Sequence, residues 1–142
     1  MRRIDFYLLV VLLGFVLGAS ARAQVTCATP VPIPKTITAS TVGSTGSELS
    51  GTVTAGCSKT YLMPTYNCGG CQAPTNGTIT SFNENAGAFV YKPNPGFIGT
   101  ESFSFIVRAT GANTVDSAQT AFNITVTNNL TVNGTTTTIN ST

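Results

Sequence analysis

The nineteen residues Gly87-Ala-Phe-Val-Tyr-Lys-Pro-Asn-Pro-Gly-Phe-Ile-Gly-Thr-Glu-Ser-Phe-Ser-Phe105 restrict the fold more than any other part of the chain. Two alternating apolar runs, Phe89/Tyr91 and Phe103/Phe105, flank Pro93-Asn-Pro-Gly-Phe-Ile-Gly99. Apolar residues at every second position mark a strand with one buried face, and clustered proline and glycine mark a change of direction. The stretch therefore reads as strand, rigid corner, strand. Pro93 and Pro95 stiffen the corner, Gly96 accepts a positive φ, and Phe97 is placed to fold back onto the end of a core. Tyr91, Phe103 and Phe105 then fill the space between two sheets, each stabilising by roughly 2–3 kcal/mol if fully buried.

The rest of the chain repeats this alternation in shorter pieces. Strands are predicted at Thr36 to Ser40, Leu49 to Ala55, Thr60 to Tyr66, Gly77 to Phe82, Ala88 to Lys92, Glu101 to Ala109 and Ser117 to Thr127, the sixth being the longest. Gly43 to Ser47 and Asn83 to Gly87 read as turns, and Pro64 suits an edge or a bulge. About seven short strands at even spacing, with no helical pattern, predict an all-β two-sheet sandwich over residues 35–128, which the resemblance given below makes immunoglobulin-like. Residues 24–34 hold Pro30, Pro32 and Pro34 and are expected to form a proline-rich extended lead-in outside any ladder. Residues 129–142 read as a Thr/Asn-rich polar tail with a frayed strand at Leu130 to Val132.

Met1-Arg-Arg, an apolar run from Phe6 to Leu17, and Ala21-Arg-Ala23 have the layout of a secretory signal peptide spanning residues 1–23. The apolar run falls short of the roughly 20 residues that span a bilayer, so no membrane span is expected after cleavage. Removing residues 1–23 from the 142 leaves 119, enough for one modest core. The formal charge falls from +2 to zero, because Arg2, Arg3, Arg22 and Asp5 leave together. A neutral surface has no electrostatic footprint for nucleic acid or anionic lipid. The expected location is periplasmic, cell-surface or secreted.

Several segments carry a family resemblance. Leu49-Ser-Gly-Thr-Val-Thr-Ala55, Thr60-Tyr-Leu62, Asn76-Gly-Thr-Ile-Thr80, Gly87-Ala-Phe-Val-Tyr-Lys-Pro93, Gly96-Phe-Ile-Gly-Thr-Glu-Ser-Phe-Ser-Phe105 and Ala121-Phe-Asn-Ile-Thr-Val126 resemble, in this order, the bacterial immunoglobulin-like, cadherin-like domains. The most specific part is Tyr-x-Pro-x-x-Gly-Phe-x-Gly-Thr-x-Ser-Phe. The resemblance implies a sandwich of a kind usually found in tandem in secreted and surface proteins, although this chain holds one copy. Relatives commonly carry an acidic stretch after the second strand, which binds calcium in some of them. Here that place is Gly56-Cys-Ser-Lys-Thr60, without a carboxylate, so no calcium site and no other cofactor or metal is expected.

The chemical inventory is small. Histidine is absent, which removes Ser-His-Asp and Cys-His catalysis, and no catalytic residue is assigned. Cys27, Cys57, Cys68 and Cys71 form an even set, which in an exported chain implies disulfides with three pairings open. With Thr60 to Tyr66 extended at about 3.3 Å per residue, Cys57 and Cys68 lie too far apart to join. Cys68 and Cys71 sit at the ends of a β-turn centred on Gly69-Gly70, within about 7 Å. The expected bonds are thus Cys68–Cys71 and Cys27–Cys57. A redox pair at a helix N-terminus or a four-cysteine zinc site would be the reactive alternatives, and neither has the flanking pattern it needs.

These readings predict a non-enzymatic module with a structural or adhesive role, whose partner is an unknown protein or a surface glycan. The alternative is a carbohydrate- or ligand-binding domain using the loop Asn67 to Asn76, and a thiol-disulfide redox protein ranks third. Self-association through an edge strand or the tail stays open. Five Asn-x-Ser/Thr sequons, at Asn76, Asn123, Asn129, Asn133 and Asn140, are expected to carry no glycans.

Overall fold

A computed structural model describes residues 23–132 and 135–139. Except for Ala23, the expected signal peptide lies outside the described residues, as do the sequons at Asn133 and Asn140. Eleven strands occur among the described residues.

One layer is built from β1 (Val31–Ile33), β3 (Thr45–Glu48), β4 (Ser50–Thr52), β6 (Gly77–Asn83) and β7 (Ala88–Pro93). β1 pairs with β4, and β7 lies between β3 and β6, all antiparallel. Only Leu49 separates β3 from β4. It is buried, and its N–H donates to the Gly87 carbonyl at 3.0 Å. The second layer holds β2 (Lys35–Ser40), β5 (Ser58–Leu62), β8 (Gly99–Thr110) and β10 (Thr120–Val132). β10 runs antiparallel to β8 and parallel to β2, and β5 closes the other side of β8. Two short additions complete it, β9 (Thr114–Asp116) on β8 and β11 (Thr135–Ile139) on β10.

Between the layers sit Phe89 and Tyr91 from β7, Phe103, Phe105 and Val107 from β8, and Phe122, Ile124 and Val126 from β10, each at most 2% exposed. Phe103 and Phe122 stack at 5.2 Å, and Phe89 meets both rings edge-on across the gap at 5.2 and 5.0 Å. Edge-to-face packing places the positive ring edge on the negative ring face, which adds to the gain from burial.

The third expected strand, Thr60 to Tyr66, runs instead from Ser58 to Leu62, because Met63 to Tyr66 turn at Pro64, and the structure differs from the expected strands in four further places, each with a local cause. The proline-rich lead-in does contain a ladder strand, β1, in register Val31↔Thr52, Pro32↔Gly51, Ile33↔Ser50. Prolines occupy every second position, so the missing N–H groups of Pro30, Pro32 and Pro34 all fall on the outer edge, and Val31 and Ile33 serve β4. The result is a sheet edge without donors, which discourages further pairing.

The segment expected as a turn, Gly43 to Ser47, supplies most of β3, because pairing Thr45↔Tyr91 through Glu48↔Ala88 overrides its turn-like composition. The seventh strand begins at Thr120, later than expected, since Ser117 to Gln119 bulge. The Ser117 N–H still donates to the Val107 carbonyl at 2.9 Å, but its hydroxyl stands in for a carbonyl and accepts from the Val107 N–H at 3.0 Å. The tail is strand over much of its length: β10 continues to Val132, and β11 returns from Thr135 in register Asn128↔Ile139. At 13 residues β10, not the sixth expected strand of 12, is the longest.

Candidate functional site

Beyond Leu62 the chain leaves β5 and runs along the β8 edge as an irregular strip, residues 63–76. Its first turn is Met63-Pro64-Thr65-Tyr66, with Met63 and Tyr66 exchanging backbone hydrogen bonds at 3.2 and 2.9 Å. Proline at the second position and a positive φ at the third are the requirements of a type II turn, but the third residue is Thr65, φ 66°, where glycine is usual. A β-branched residue in that region is strained. Thr65→Gly is expected to raise stability by about 0.5–1 kcal/mol, seen as a higher urea midpoint at unchanged m value, with the strain relieved exceeding glycine's entropic cost. Asn67, φ 61°, should respond less to the same change, because asparagine tolerates this conformation.

Next comes the bond Cys68–Cys71, Cα atoms 5.5 Å apart, around exposed Gly69 and Gly70. Gln72 then pairs with β8 like a one-residue strand. Its carbonyl accepts from the Ser104 N–H at 3.0 Å and its N–H donates to Ser104 Oγ at 2.7 Å. From the other side Gln119 Nε2 donates to the Gly70 carbonyl at 3.2 Å.

The strip ends on a buried carboxylate. Glu101, 5% exposed, accepts from the N–H groups of Thr75 at 3.1 Å, Ser102 at 3.1 Å, and Asn76. Three N–H donors offset the cost of burying the charge. From the sequence, Glu101 has no assigned role beyond opening the sixth expected strand. Its place in the odd-numbered register with Phe103, Phe105 and Val107 was the signal that it points inward and must find donors.

Asn76 ties this strip to the corner predicted from the sequence. Its carbonyl accepts from Asn94 N–H at 2.9 Å and from the Tyr91 hydroxyl at 3.2 Å. The corner folds with Gly96 at φ 80° and Gly99 at φ 141°, Phe97 N–H donating to the Asn94 carbonyl at 3.1 Å. Pro93 is buried, Pro95 is exposed, and the Phe97 ring lies half-buried against the core. Gly77 packs against the hydroxyl end of Tyr91, where any Cβ would clash with the hydroxyl oxygen and the ring carbon that carries it.

Burial, with the nearby Glu101 charge second, pushes the Tyr91 hydroxyl up to about 12. The folded pKa thus exceeds the unfolded value of about 10, so this contribution to stability is complete below pH 10 and is lost as pH rises from 10 to 12. Tyr91→Phe should cost about 1 kcal/mol at pH 7 for the lost hydrogen bond and flatten the alkaline limb of a stability profile measured from pH 8 to 12.

Between the strip and β6 lies a groove of about 160 Å³ lined by Pro64, Thr65, Ala73, Pro74, Gly77, Thr78 and Ile79. It offers apolar walls and two hydroxyls, and none of these residues titrates near neutral pH. A larger and more open depression of about 450 Å³ lies at the opposite end of β8, beside Gly56, Thr110 and Gly111.

That end carries the other bond, Cys27–Cys57, with Cα atoms 6.0 Å apart. The Asn113 amide grips the Cys27 backbone on both sides, Oδ1 accepting from its N–H at 2.6 Å and Nδ2 donating to its carbonyl at 3.0 Å. Ala112 N–H donates to the Val25 carbonyl at 2.8 Å, so the lead-in is docked on the turn between β8 and β9.

All four cysteines are disulfide-bonded. Among the described residues no three of His, Cys, Asp or Glu gather in a way that could hold a metal ion, and no helix is long and apolar enough to cross a membrane.

A family model described as a bacterial Ig domain matches residues 18–123. No curated protein and no solved structure matches the chain.

Proposed function

This chain belongs to the bacterial Ig domain family, and on that premise we propose that it is an exported, non-enzymatic module with a structural or adhesive role at or beyond the cell envelope. The observation that carries the reading is the family match over most of the sandwich, with its corner and aromatic core intact. Two disulfides support an oxidising compartment, consistent with the signal-like start of the chain. The groove beside β6, with no titratable side chain among its lining residues, suits contact better than proton transfer.

A second reading rests on that same groove. Its apolar floor with Thr65 and Thr78 at hand suits a small uncharged or sugar ligand, and the Asn67 to Asn76 loop forms part of its wall.

Sedimentation of the purified chain with insoluble cell-wall glycan, together with light scattering of the chain alone, tests both. An adhesive module should co-sediment or self-associate. Binding that falls at least tenfold in Ala73→Arg but not in Thr114→Arg, at the far end of β8, would favour the groove. A monodisperse monomer that sediments with nothing would overturn the adhesive role.

A further inference from the structure

The two disulfides differ in ways that bear on their chemistry. Cys27–Cys57 spans 30 positions, and the Gly111 backbone covers it so closely that a Cβ there would come within 2.7 Å of Cys27 Sγ and 3.3 Å of Cys57 Sγ. Cys68–Cys71 spans three positions, and the space beside Gly69 is open, with no atom within 4 Å of where its Cβ would stand. A bond that constrains the unfolded chain is held closed by folding to the same extent that it favours the fold. That gain only offsets the lower chance that a longer loop closes in the unfolded chain, so loop length cancels and access decides which bond opens in the folded protein: Cys57 and Cys71 are both half-buried, but Gly111 lies over the sulfurs of Cys27–Cys57, whereas Cys68–Cys71 closes an exposed Gly69-Gly70 turn.

We propose that Cys68–Cys71 is a thiol-disulfide exchange site, opened by dithiol reductants while Cys27–Cys57 stays closed, and that opening it releases the strip covering the Ser102 to Phe105 edge of β8. Cys71 is half-buried and Cys68 is 9% exposed, so the incoming thiolate attacks Cys71 Sγ. The Sγ–Sγ bond breaks as the mixed disulfide forms on Cys71, and Cys68 leaves as a thiolate that takes up a proton. The second thiol of the reductant then attacks its own sulfur in the mixed disulfide. Cys71 is released as a thiol and the reductant departs as a cyclic disulfide, two electrons and two protons having passed to the protein.

The bond closes a turn whose own hydrogen bond, Cys71 N–H to the Cys68 carbonyl, is long at 3.4 Å, and it follows two residues of positive φ, Thr65 and Asn67. Once the bond opens, that backbone relaxes, and the Gln72 pairing with Ser104 and the Gln119 contact to Gly70 lose their anchor. What is uncovered is a short stretch of sheet edge, a surface able to pair with another strand.

The test is a dithiothreitol titration of the oxidised full chain, quenched with an alkylating agent and mapped by peptide mass spectrometry, with hydrogen exchange measured on the same samples. Cys68 and Cys71 should become alkylated at a dithiothreitol concentration at least tenfold below that needed for Cys27 and Cys57. Glutathione should leave its adduct on Cys71. Exchange at the Ser104 amide should speed up at least tenfold on opening, with Val107 unchanged, and the Cys68→Ser/Cys71→Ser double variant should show the same pattern without reductant. Opening of Cys27–Cys57 first or at the same concentration, an adduct on Cys68, or a Ser104 amide indifferent to the bond would each overturn the proposal.

Discussion

Phe103→Ala is expected to lower stability by about 4 kcal/mol. The ring is 1% exposed, stacked on Phe122 and met edge-on by Phe89, so its loss removes buried area and two ring contacts and leaves a cavity between sheets that cannot collapse onto it. For a domain of about this size each kcal/mol shifts the melting temperature by roughly 4–8 °C, so a fall of about 15–30 °C should appear in a thermal melt. The same change at Phe97, half-buried at the corner, should cost about 1–2 kcal/mol, because part of its ring already faces water. Equal losses at the two positions would mean that the corner bears as much of the fold as the centre, against the packing described above.

The contrast between these two rings also shows what could be read from the residues. Phe103, Phe105 and Val107 announce themselves by alternation, and a period of two needs no knowledge of the partner strand. The corner is equally local, since proline and glycine constrain the backbone wherever they stand. The disulfide pairing matches the one expected from reach, although the strand assumed to separate Cys57 from Cys68 ends at Leu62 and gives way to a turn.

What escaped depends on partners distant in sequence. Pro32 forbids a ladder strand only if its nitrogen faces the neighbour, and which way it faces is decided by Gly51 and Thr52 across the sheet. Thr45 to Glu48 resemble a turn until Ala88 to Tyr91 supply partners. The Asn113 grip on Cys27 joins residues 86 apart, and no local pattern marks an asparagine that will substitute for a strand. Glu101 was the recoverable case, because its register was already known from Phe103.

Converting Cys27 and Cys57 together to serine should cost about 3.5 kcal/mol, close to the Phe103 effect but by a different route. Closing a loop of 30 positions restricts the unfolded chain, so the loss should come from the denatured state more than from native contacts. The Cys68→Ser/Cys71→Ser pair, closing a loop of three positions, should cost only about 1.5–2 kcal/mol.

The native contribution at Cys27 is separable. Asn113→Ala keeps the disulfide but frees the Cys27 N–H and carbonyl, and because this site is only part-buried and water can reach it, the cost should be about 1–2 kcal/mol. If the disulfide acts through the unfolded chain, the Asn113→Ala cost should persist when both Cys27 and Cys57 are serine, because the docked lead-in remains in place. If the bond is what holds the lead-in against the turn between β8 and β9, the Asn113 effect should vanish in the serine background. A double-mutant cycle read by urea unfolding decides between them. Additive losses place the work of Cys27–Cys57 in the unfolded chain, and a coupling above 1 kcal/mol places it in the docking of residues 24–28 onto the sandwich.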